Sequence, residues 1–320
     1  MFTLRQYLLA LLDSRGLTRT LGEIDVCRDE QGRPCFSAGN SAAVFRIRLG
    51  GRIRSLRCYL RPMRHLKEIY GQRLLEKELY LHTSPETGVW VDTVLGDWIE
   101  GSTLHETVAQ AAALRDRECL QILVRLFDRL ALALVTDDRA HGDLKPENII
   151  VGDDGTLCPI DFDASYLPAF AGEISPELGT AAYQHPARTA ADFDERIDDY
   201  PAALISTALH ALAEDPTLWD RYGSSDGLLY TPQRIASDPA YRETLALFEK
   251  RGMAVQYRIA QLLTAPTLRL FGLAELLAEA VREKPAARSG MEAETPELFV
   301  ENGRWGYRTA EGVVVAPLYD

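Results

Sequence analysis

Four polar side chains with the potential for phosphate and metal chemistry lie in the stretch AHGDLKPENIIVGDDGTLCPIDFDASY, residues 140–166: Asp143, Lys145, Asn148 and Asp161. Transfer of a phosphoryl group needs a carboxylate to orient the attacking hydroxyl, a cation against the phosphates, and oxygen ligands for Mg²⁺. The carboxylate of Asp143 and the ammonium of Lys145 can supply the first two. Asn148 and Asp161 can supply the oxygens. The stretch is therefore a candidate phosphate-transfer site.

The spacing of the two candidate metal ligands has a structural explanation. The segment between Asn148 and Asp161, IIVGDDGTLCPI, is typical of a two-stranded hairpin. Closing the hairpin brings its ends together, so that two distant residues become neighbours in space. The other interpretation is a polar loop that simply precedes a hairpin, since loops are polar in general. It accounts for any one of the four residues better than for all four together.

Several motifs of this chain resemble those of protein kinases. HGDLKPEN followed by DFD is similar to the catalytic and metal-binding loops of that fold, with HRD-x-K-x-x-N falling on residues 141–148 and DFG on residues 161–163. GTAAYQHP, residues 179–186, resembles the end of the kinase activation segment. LGDWIEGSTL resembles the hinge between the kinase lobes. The resemblance covers roughly residues 20–280 and is most specific in the carboxy-terminal half.

The resemblance implies ATP and Mg²⁺ as cofactors and gives each matched residue a role. Asp143 and Lys145 are the catalytic residues, as base and as the cation on the γ-phosphate, and Asn148 and Asp161 bind the metal. The residues expected to bind or position the nucleotide are Gly39, Val44, Arg57, Glu76, Asp97 and Ile99. Those expected to support the loop or contact the substrate are His141, Thr180 and Asp198.

The amino-terminal part departs from the kinase pattern. Gly39 alone survives of the three glycines that cover the phosphates. The strand lysine falls on Arg57, whose planar guanidinium directs its donors differently from an ammonium. The partner glutamate is expected on a helix over HLKEIYGQRLLEKELYL, at Glu76, with Glu78 as the alternative. In another interpretation, Arg57 and Glu76 are simply solvated surface charges.

Three further departures concern the activation segment. Gly142 replaces the arginine before the catalytic aspartate, which predicts that phosphorylation does not switch the protein. Asp163 replaces the glycine of DFG, adding a second carboxylate near the metal and stiffening the turn. Ala187 replaces the glutamate that follows the proline, so we expect a looser segment without its anchoring ion pair.

The expected fold is α+β. Short strands interrupted by one helix are followed by long apolar helices, which fits a bilobal protein kinase-like fold with a small β-rich N-lobe containing one key helix, a large helical C-lobe and a short β element at the carboxy terminus. The expected domains are an N-terminal helix (1–19), the N-lobe (20–101), the C-lobe (102–281), a linker (282–296) and a β segment (297–320).

The carboxy-terminal segment NGRWGYRTAEGVVVAPLYD resembles one WG repeat, a module named for its Trp-Gly pair, here Trp305 and Gly306. Turns are predicted at Asn302–Gly303 and Glu311–Gly312. A single repeat cannot bury its apolar face alone. We therefore expect it to pack on the large lobe, pair with a protein partner or belong to a longer array; an ordinary hairpin is the other interpretation.

Composition excludes some partners. The net charge of −12 argues against nucleic acid and anionic membrane surfaces, and no apolar run approaches the roughly 20 residues of a membrane helix. MFTLRQYLLALLDSRG has helical spacing, a short apolar core ending at Asp13 and no cleavage pattern, so it predicts a docked helix rather than a signal peptide. Five scattered cysteines without a CxxC pair favour reduced thiols and a cytoplasmic location.

Three functions fit these observations. The first is an ATP-dependent phosphotransferase of the protein Ser/Thr kinase type, weakened or inactivated by Arg57. The second is a nucleotide-binding or inactive pseudokinase scaffold. The third is a small-molecule kinase of the aminoglycoside or choline type, favoured by HGD and DFD. Lys145 and the GTAAYQHP segment favour the first, with a protein or small-molecule hydroxyl as the acceptor.

Overall fold

The computed structural model has an α+β fold divided into two compact units, residues 1–99 and 100–320. Unit 1 contains an antiparallel sheet and unit 2 is mainly helical, an arrangement compatible with the bilobal kinase-like fold expected from the sequence. The residues that the structure describes are 1–152, 154–282, 297–301, 304–309 and 312–319. The predicted linker, residues 282–296, lies outside them except for residue 282.

Unit 1 is built on a six-stranded antiparallel sheet. Five of its strands follow the order β1-β3-β4-β6-β5, and the sixth, β2, pairs with β3. Its strands are β1 (Asp25–Val26), β2 (Phe36–Ala38), β3 (Ala42–Leu49), β4 (Arg52–Tyr59), β5 (Leu74–His82) and β6 (Gly88–Asp97). Its helices are α1 (Leu4–Leu12) and α2 (Leu66–Tyr70).

In the sequence, Gly50 and Gly51 lie between SAAVFRIRL and IRSLRCYLR, which predicts a hairpin. The structure confirms it, because β3 and β4 pair in register from Leu49 opposite Arg52. Both glycines have positive φ, 55° and 79°. Positive φ at the two central residues is the geometry that two-residue hairpin turns require, and glycine adopts it without steric cost.

The amino-terminal segment forms the amphipathic helix that its spacing predicts. Tyr7 and Leu11 of α1 are fully buried in the core of unit 1. The hydroxyl of Tyr7 donates a hydrogen bond to the Tyr59 carbonyl at 2.6 Å, which ties the helix to the end of β4.

The long helix predicted over HLKEIYGQRLLEKELYL is wrong. The helix ends at Tyr70, Gly71 follows with a φ of 50°, a 3-10 turn covers Gly71–Arg73, and strand β5 begins at Leu74. Leucines at this spacing suit a helix and a strand about equally, and the alternation of buried Leu79 and Leu81 around Tyr80 decides for the strand.

Unit 2 begins with a short strand and continues mainly as helices. Its strands are β7 (Gly101–Thr103), β8 (Ile149–Gly152), β9 (Leu157–Pro159), β10 (Glu297–Glu301), β11 (Arg304–Thr309) and β12 (Gly312–Tyr319). Its helices are α3 (Leu104–Leu114), α4 (Arg117–Thr136), α5 (Asp199–Glu214), α6 (Leu218–Tyr222), α7 (Pro239–Arg251), α8 (Ala254–Leu262) and α9 (Leu273–Arg282).

Helix α5 is the centre of unit 2, since 14 of its 16 residues are buried. A helix that is apolar on all sides belongs inside a core. One polar link fixes it to α4: the buried carboxylate of Asp128 accepts a hydrogen bond from Ser206 Oγ at 2.6 Å and lies 2.8 Å from His210 Nε2. The position of the first residues of α5 is therefore set by the core.

The carboxy-terminal strands form a separate antiparallel sheet in the order β10-β11-β12. Trp305 and Gly306 lie on β11, opposite Val300 and Phe299 of β10. The predicted turn at Asn302–Gly303 and residue 311 of the second turn lie outside the described residues. The backbone pairing fits the β segment expected there.

No helix in the part of the chain that the structure describes is long and apolar enough to cross a membrane.

The buried Asp199, the first residue of α5, predicts a pH-dependent stability. Its carboxylate is 3% exposed and accepts a hydrogen bond from the Leu270 N–H at 3.1 Å. Burial raises its pKa from 3.8 to about 7. Between these values the folded protein binds one more proton than the unfolded chain, so the free energy of unfolding falls by about 1.4 kcal/mol per pH unit as the pH rises, and levels off above pH 7.

The variant Asp199→Asn keeps an oxygen for the Leu270 N–H and cannot ionise. Its free energy of unfolding should therefore change less with pH than that of the native chain. Urea unfolding at pH 4 to 8 should give curves that meet near pH 4 and separate towards pH 8, with the variant more stable. Parallel curves would show that Asp199 titrates normally.

Candidate active site

The loop between α4 and β8 carries the densest polar network of the candidate site. A 3-10 turn, Pro146–Asn148, ends the loop, with the Asn148 N–H bonded to the Lys145 carbonyl at 2.9 Å. Proline at the first position of this turn needs no hydrogen-bond donor there. The turn places the side chains of residues 143, 145 and 148 close together.

The carboxylate of Asp143 is held through both of its oxygens. Oδ1 accepts a hydrogen bond from the Thr180 N–H at 2.5 Å, and Oδ2 accepts one from Asn148 Nδ2 at 3.2 Å. Lys145 Nζ lies 3.4 Å from Oδ2 and donates to Thr180 Oγ1 at 2.9 Å. Four of the predicted residues thus form one hydrogen-bonded cluster, in which a charged acceptor is oriented by fixed donors.

The hairpin β8–β9 brings the two candidate metal ligands to the same end, as its spacing predicts. Ile149 pairs with Pro159, and the Ile160 N–H donates to the Asn148 carbonyl at 2.8 Å. Asp161 is the next residue, in the left-handed region with a φ of 69°. The hairpin therefore explains how the backbones of Asn148 and Asp161, thirteen positions apart in sequence, come to the same end of the hairpin.

The donor chemistry at this end of the hairpin fits Mg²⁺. Asn148 Nδ2 donates to the Asp143 carbonyl at 2.9 Å as well as to its carboxylate, which leaves the amide oxygen as the end of the side chain that a cation would meet. Across the described ranges, no three His, Cys, Asp or Glu side chains converge into a metal site. Mg²⁺ often binds through one or two protein oxygens together with phosphate and water.

The side chain of His141 holds the loop through both of its ring nitrogens. Its Nδ1 accepts a hydrogen bond from the Asp143 N–H at 3.3 Å, so the proton resides on Nε2, which donates to the Ile160 carbonyl at 2.8 Å. The ring also packs on Phe162, with centroids 5.1 Å apart. His141 thereby links the loop to the segment that carries Asp161.

Asp198, at the N-cap of α5, holds the backbone of the same loop. Its carboxylate accepts hydrogen bonds from the N–H groups of His141 at 2.5 Å and Gly142 at 3.0 Å, and only 1% of the residue is exposed. Burial raises its pKa, although these two N–H groups and the positive charge of nearby Arg188 act in the opposite direction. The buried helix α5 therefore fixes the loop through one side chain.

Gly142 fits its position because a larger residue would collide. Its φ is 79°, and a Cβ placed on it would lie 2.0 Å from the Ala164 carbonyl oxygen. Glycine permits both the positive φ and the close approach. The absence of an arginine at this position is thus a requirement of the loop as it is folded here.

The segment GTAAYQHP is anchored without the glutamate that Ala187 replaces. The ring of His185 accepts a hydrogen bond from the Ala187 N–H at 3.1 Å and bonds the Ala265 carbonyl at 3.0 Å through Nε2. It also lies edge-on to Tyr200 of α5. The looser segment that the sequence suggested is therefore held by a histidine.

Sequence reasoning missed two residues beside the catalytic loop. Arg188 Nη1 donates a hydrogen bond to the Gly142 carbonyl at 3.0 Å and another to Gln184 Oε1. Gln184 lies within GTAAYQHP but was given no role there, and Arg188 lies outside every motif. The contact of Arg188 with the Gly142 carbonyl joins segments 46 residues apart, which no local pattern predicts.

The predicted nucleotide residues of unit 1 lie on its sheet. Gly39 is in the β2–β3 turn, where its N–H donates to the Ala42 carbonyl at 2.9 Å. Val44 of β3 is opposite Arg57 of β4. The Arg57 guanidinium lies over the Tyr59 ring, 5.8 Å from its centroid. Their role in binding a nucleotide stays a prediction.

Neither glutamate considered as the partner of Arg57 lies on a helix. Glu76 is on β5, with 62% of its side chain exposed, and pairs with Lys67 Nζ at 3.5 Å. Glu78 is 1% exposed, and its carboxylate accepts hydrogen bonds from the N–H groups of residues 19, 20 and 21. Glu78 therefore fixes the amino-terminal segment to the sheet.

The predicted hinge residues lie at the end of unit 1. Asp97 is the last residue of β6, where its carbonyl accepts a hydrogen bond from Ser55 Oγ at 3.0 Å and its carboxylate pairs with Arg54 at 3.2 Å. Ile99 is the last residue of the unit. Adenine binding by their backbone groups stays a prediction.

The close approach at Gly142 gives a test of the loop geometry with a matched control. Gly155 has the same φ of 79° but nothing within 4 Å of an added Cβ. Alanine at a left-handed position costs about 1–2 kcal/mol, so Gly155→Ala should lower the free energy of unfolding by that amount. Gly142→Ala should lower it by about 2 kcal/mol more, because the overpacked loop must shift.

Urea unfolding of the two variants measures the difference. Equal losses of stability would mean that the Ala164 carbonyl does not restrict residue 142.

Comparison with known proteins gives weak similarity to protein kinases. CBL-interacting protein kinase 17 of Oryza sativa subsp. japonica is 28% identical over 172 residues, covering 51% of this chain and 35% of that protein. The serine/threonine-protein kinase PknL of Mycobacterium tuberculosis (strain ATCC 25618 / H37Rv) is 34% identical over 113 residues, covering 33% of this chain and 27% of PknL. No family model matches the chain.

The chain thus spans about a third or less of the length of these curated relatives. Both relatives are named as protein kinases, and PknL is named as a serine/threonine-protein kinase. The similarity suggests that the chain is related to the protein kinase-like superfamily.

Proposed function

We propose that the chain is an ATP-dependent phosphotransferase of the protein Ser/Thr kinase type, with a bilobal protein kinase-like fold, that transfers the γ-phosphate to a hydroxyl group. The observation that carries the proposal is the carboxylate of Asp143, which is oriented through both oxygens by Thr180 and Asn148 with the Lys145 ammonium 3.4 Å away. A catalytic base must be fixed in place before its substrate arrives.

Asp143 would accept the proton of the attacking hydroxyl, and Lys145 would neutralise the γ-phosphate. The Lys145 side chain is 23% exposed, and its ammonium is held between Asp143 and Thr180, so it is ordered beside the carboxylate. This pairing favours a role for the two residues in one step.

Asn148 and Asp161 would hold Mg²⁺ through the amide oxygen of one and the carboxylate of the other. When bound, Mg²⁺ neutralises charge on the β- and γ-phosphates and fixes their orientation. Gly39, Val44, Arg57, Asp97 and Ile99 remain our candidates for nucleotide contacts.

The acceptor is proposed to be a protein hydroxyl, because the similar proteins are named as protein kinases. The contact of Lys145 with Thr180 supports this choice, since it joins the catalytic loop to the GTAAYQHP segment. A small-molecule hydroxyl acceptor is the alternative that HGD and DFD favour.

A second candidate function is a nucleotide-binding scaffold with little or no turnover, that is, a pseudokinase. Glu76 lies on a strand and pairs with Lys67, while Glu78 is buried against residues 19–21. Neither supplies the helix-borne partner that the resemblance implies for Arg57. This favours weak activity without affecting the site around Asp143.

The carboxy-terminal sheet is proposed to bind a protein partner, and the protein to act in the cytoplasm. A single WG-like repeat cannot bury its apolar face alone, and the Trp-Gly pair on β11 fits a repeat that packs on a neighbour.

Phosphate transfer from γ-labelled ATP tests the proposed function. Because the acceptor is unidentified, the assay follows transfer to the chain itself, to a mixture of proteins and to water. Asp143→Asn should lower the rate by about 100-fold or more, the usual contribution of a catalytic base. Asp138→Asn, at a side chain that is 80% exposed, is the control and should leave the rate unchanged.

No transfer by the native chain at millimolar Mg-ATP would reject the phosphotransferase and favour the scaffold. Equal rates for the native chain and Asp143→Asn would remove the role of Asp143.

A further inference from the structure

The peptide unit between Gly142 and Asp143 is held at both of its polar groups. Its N–H, that of Asp143, donates to His141 Nδ1 at 3.3 Å, and its carbonyl, that of Gly142, accepts a hydrogen bond from Arg188 Nη1 at 3.0 Å. A peptide unit is planar, so two such bonds fix its orientation. The direction of the Asp143 side chain follows from the orientation of this plane.

Arg188 is unusual because it is a charged residue that lies buried. The residue is 9% exposed, and its two protein hydrogen bonds, to the Gly142 carbonyl and to Gln184, both use Nη1. Nε and Nη2 have no hydrogen-bond partner among the described residues. Burial lowers its pKa, and the negative charges of Asp198 and Asp143 act in the opposite direction. Burying a guanidinium is costly, which points to a specific role.

The loop itself cannot provide a cation at this place. The space that a side chain on Gly142 would need is filled by the Ala164 carbonyl, 2.0 Å from an added Cβ. The cation that holds the Gly142 carbonyl therefore comes from another segment. Arg188, 46 residues further along the chain, is the group that reaches it.

We propose that Arg188 is a positioning residue for Asp143: its guanidinium holds the Gly142 carbonyl and thereby sets the orientation of the catalytic carboxylate. The catalytic consequence rests on the proposed function, whereas the positioning does not. Arg188 complements Asp198, which holds the N–H groups of His141 and Gly142. One side chain binds the N–H groups of the loop and the other binds its carbonyl.

Three variants test the proposal. Arg188→Met removes the charge and both hydrogen bonds while retaining an apolar stem, and Arg188→Lys keeps the charge and can still donate to the carbonyl. Arg196→Met is the control, because Arg196 also donates through Nη1 to a backbone carbonyl, that of Val135, away from the catalytic loop.

Hydrogen exchange of the Asp143 and Thr180 amides is the first measurement, made under conditions that match the global stability of the variants. Both amides should exchange about tenfold faster in Arg188→Met, as expected for the loss of one buried hydrogen bond. Arg188→Lys should recover part of the protection, and Arg196→Met should exchange like the native chain. Should Arg188→Met fail to fold, the intermediate exchange of Arg188→Lys carries the test.

Steady-state kinetics is the second measurement. In Arg188→Met, kcat should fall by about 10- to 100-fold because the carboxylate is misplaced, with KM for ATP within about twofold of the native value. Exchange rates and kcat in Arg188→Met that equal those of Arg196→Met would overturn the proposal. If the native chain has no activity, the proposed function fails, and the exchange rates still decide whether Arg188 positions Asp143.

Discussion

The buried carboxylate of Asp198 at the start of α5 is the interaction on which the candidate site depends. It accepts hydrogen bonds from two consecutive N–H groups of a loop that has no regular secondary structure of its own. Because α5 is buried along almost its whole length and bonded to α4 through Asp128, the carboxylate cannot move without disturbing the core of unit 2. The core of unit 2 in this way fixes the position of the two residues just before Asp143.

The other contacts of the loop follow from this constraint. With the backbone of residues 141 and 142 fixed, the positive φ at Gly142 directs the chain so that the Asp143 carboxylate meets the Thr180 N–H and the Asn148 amide. His141 then ties the loop to the end of the β8–β9 hairpin. Hydrogen bonds in such a network support one another in an interior of low dielectric constant.

Sequence reasoning worked best where function depends on residues close together in the chain. Asp143, Lys145 and Asn148 fall within one short loop, and the two short apolar runs of the β8–β9 hairpin explained how Asn148 and Asp161 could meet. The hairpin at Gly50–Gly51 and helix α1 were predicted for the same reason, since each has a local pattern of apolar residues or turn residues.

The sequence predicted the structure less well where the same residues fit both the helical and the strand period, or where a contact joins residues far apart in the chain. LLEKELYL suits a helix and a strand about equally, and the structure makes it a strand that pairs with β6. Glu76 therefore lies exposed on β5 and not on the predicted helix. The role of Glu78 depends on the backbone of residues 19–21, nearly sixty positions away. The contact of Arg188 with the Gly142 carbonyl depends on how the segment that follows GTAAYQHP returns to the loop, which no local pattern predicts.

Asn148 and Asp161 are proposed to hold the Mg²⁺ of a magnesium–nucleotide complex beside the base Asp143. The most direct measurement is the melting temperature of the native chain and of Asp161→Asn, each with ATP in the presence and absence of Mg²⁺. At about 100 times its dissociation constant a ligand stabilises the folded protein by about 2.7 kcal/mol. The account predicts a raised melting temperature for the native chain with Mg-ATP, and loss of the magnesium-dependent part in Asp161→Asn. An equal response of the two proteins, or none at millimolar Mg-ATP, would contradict it.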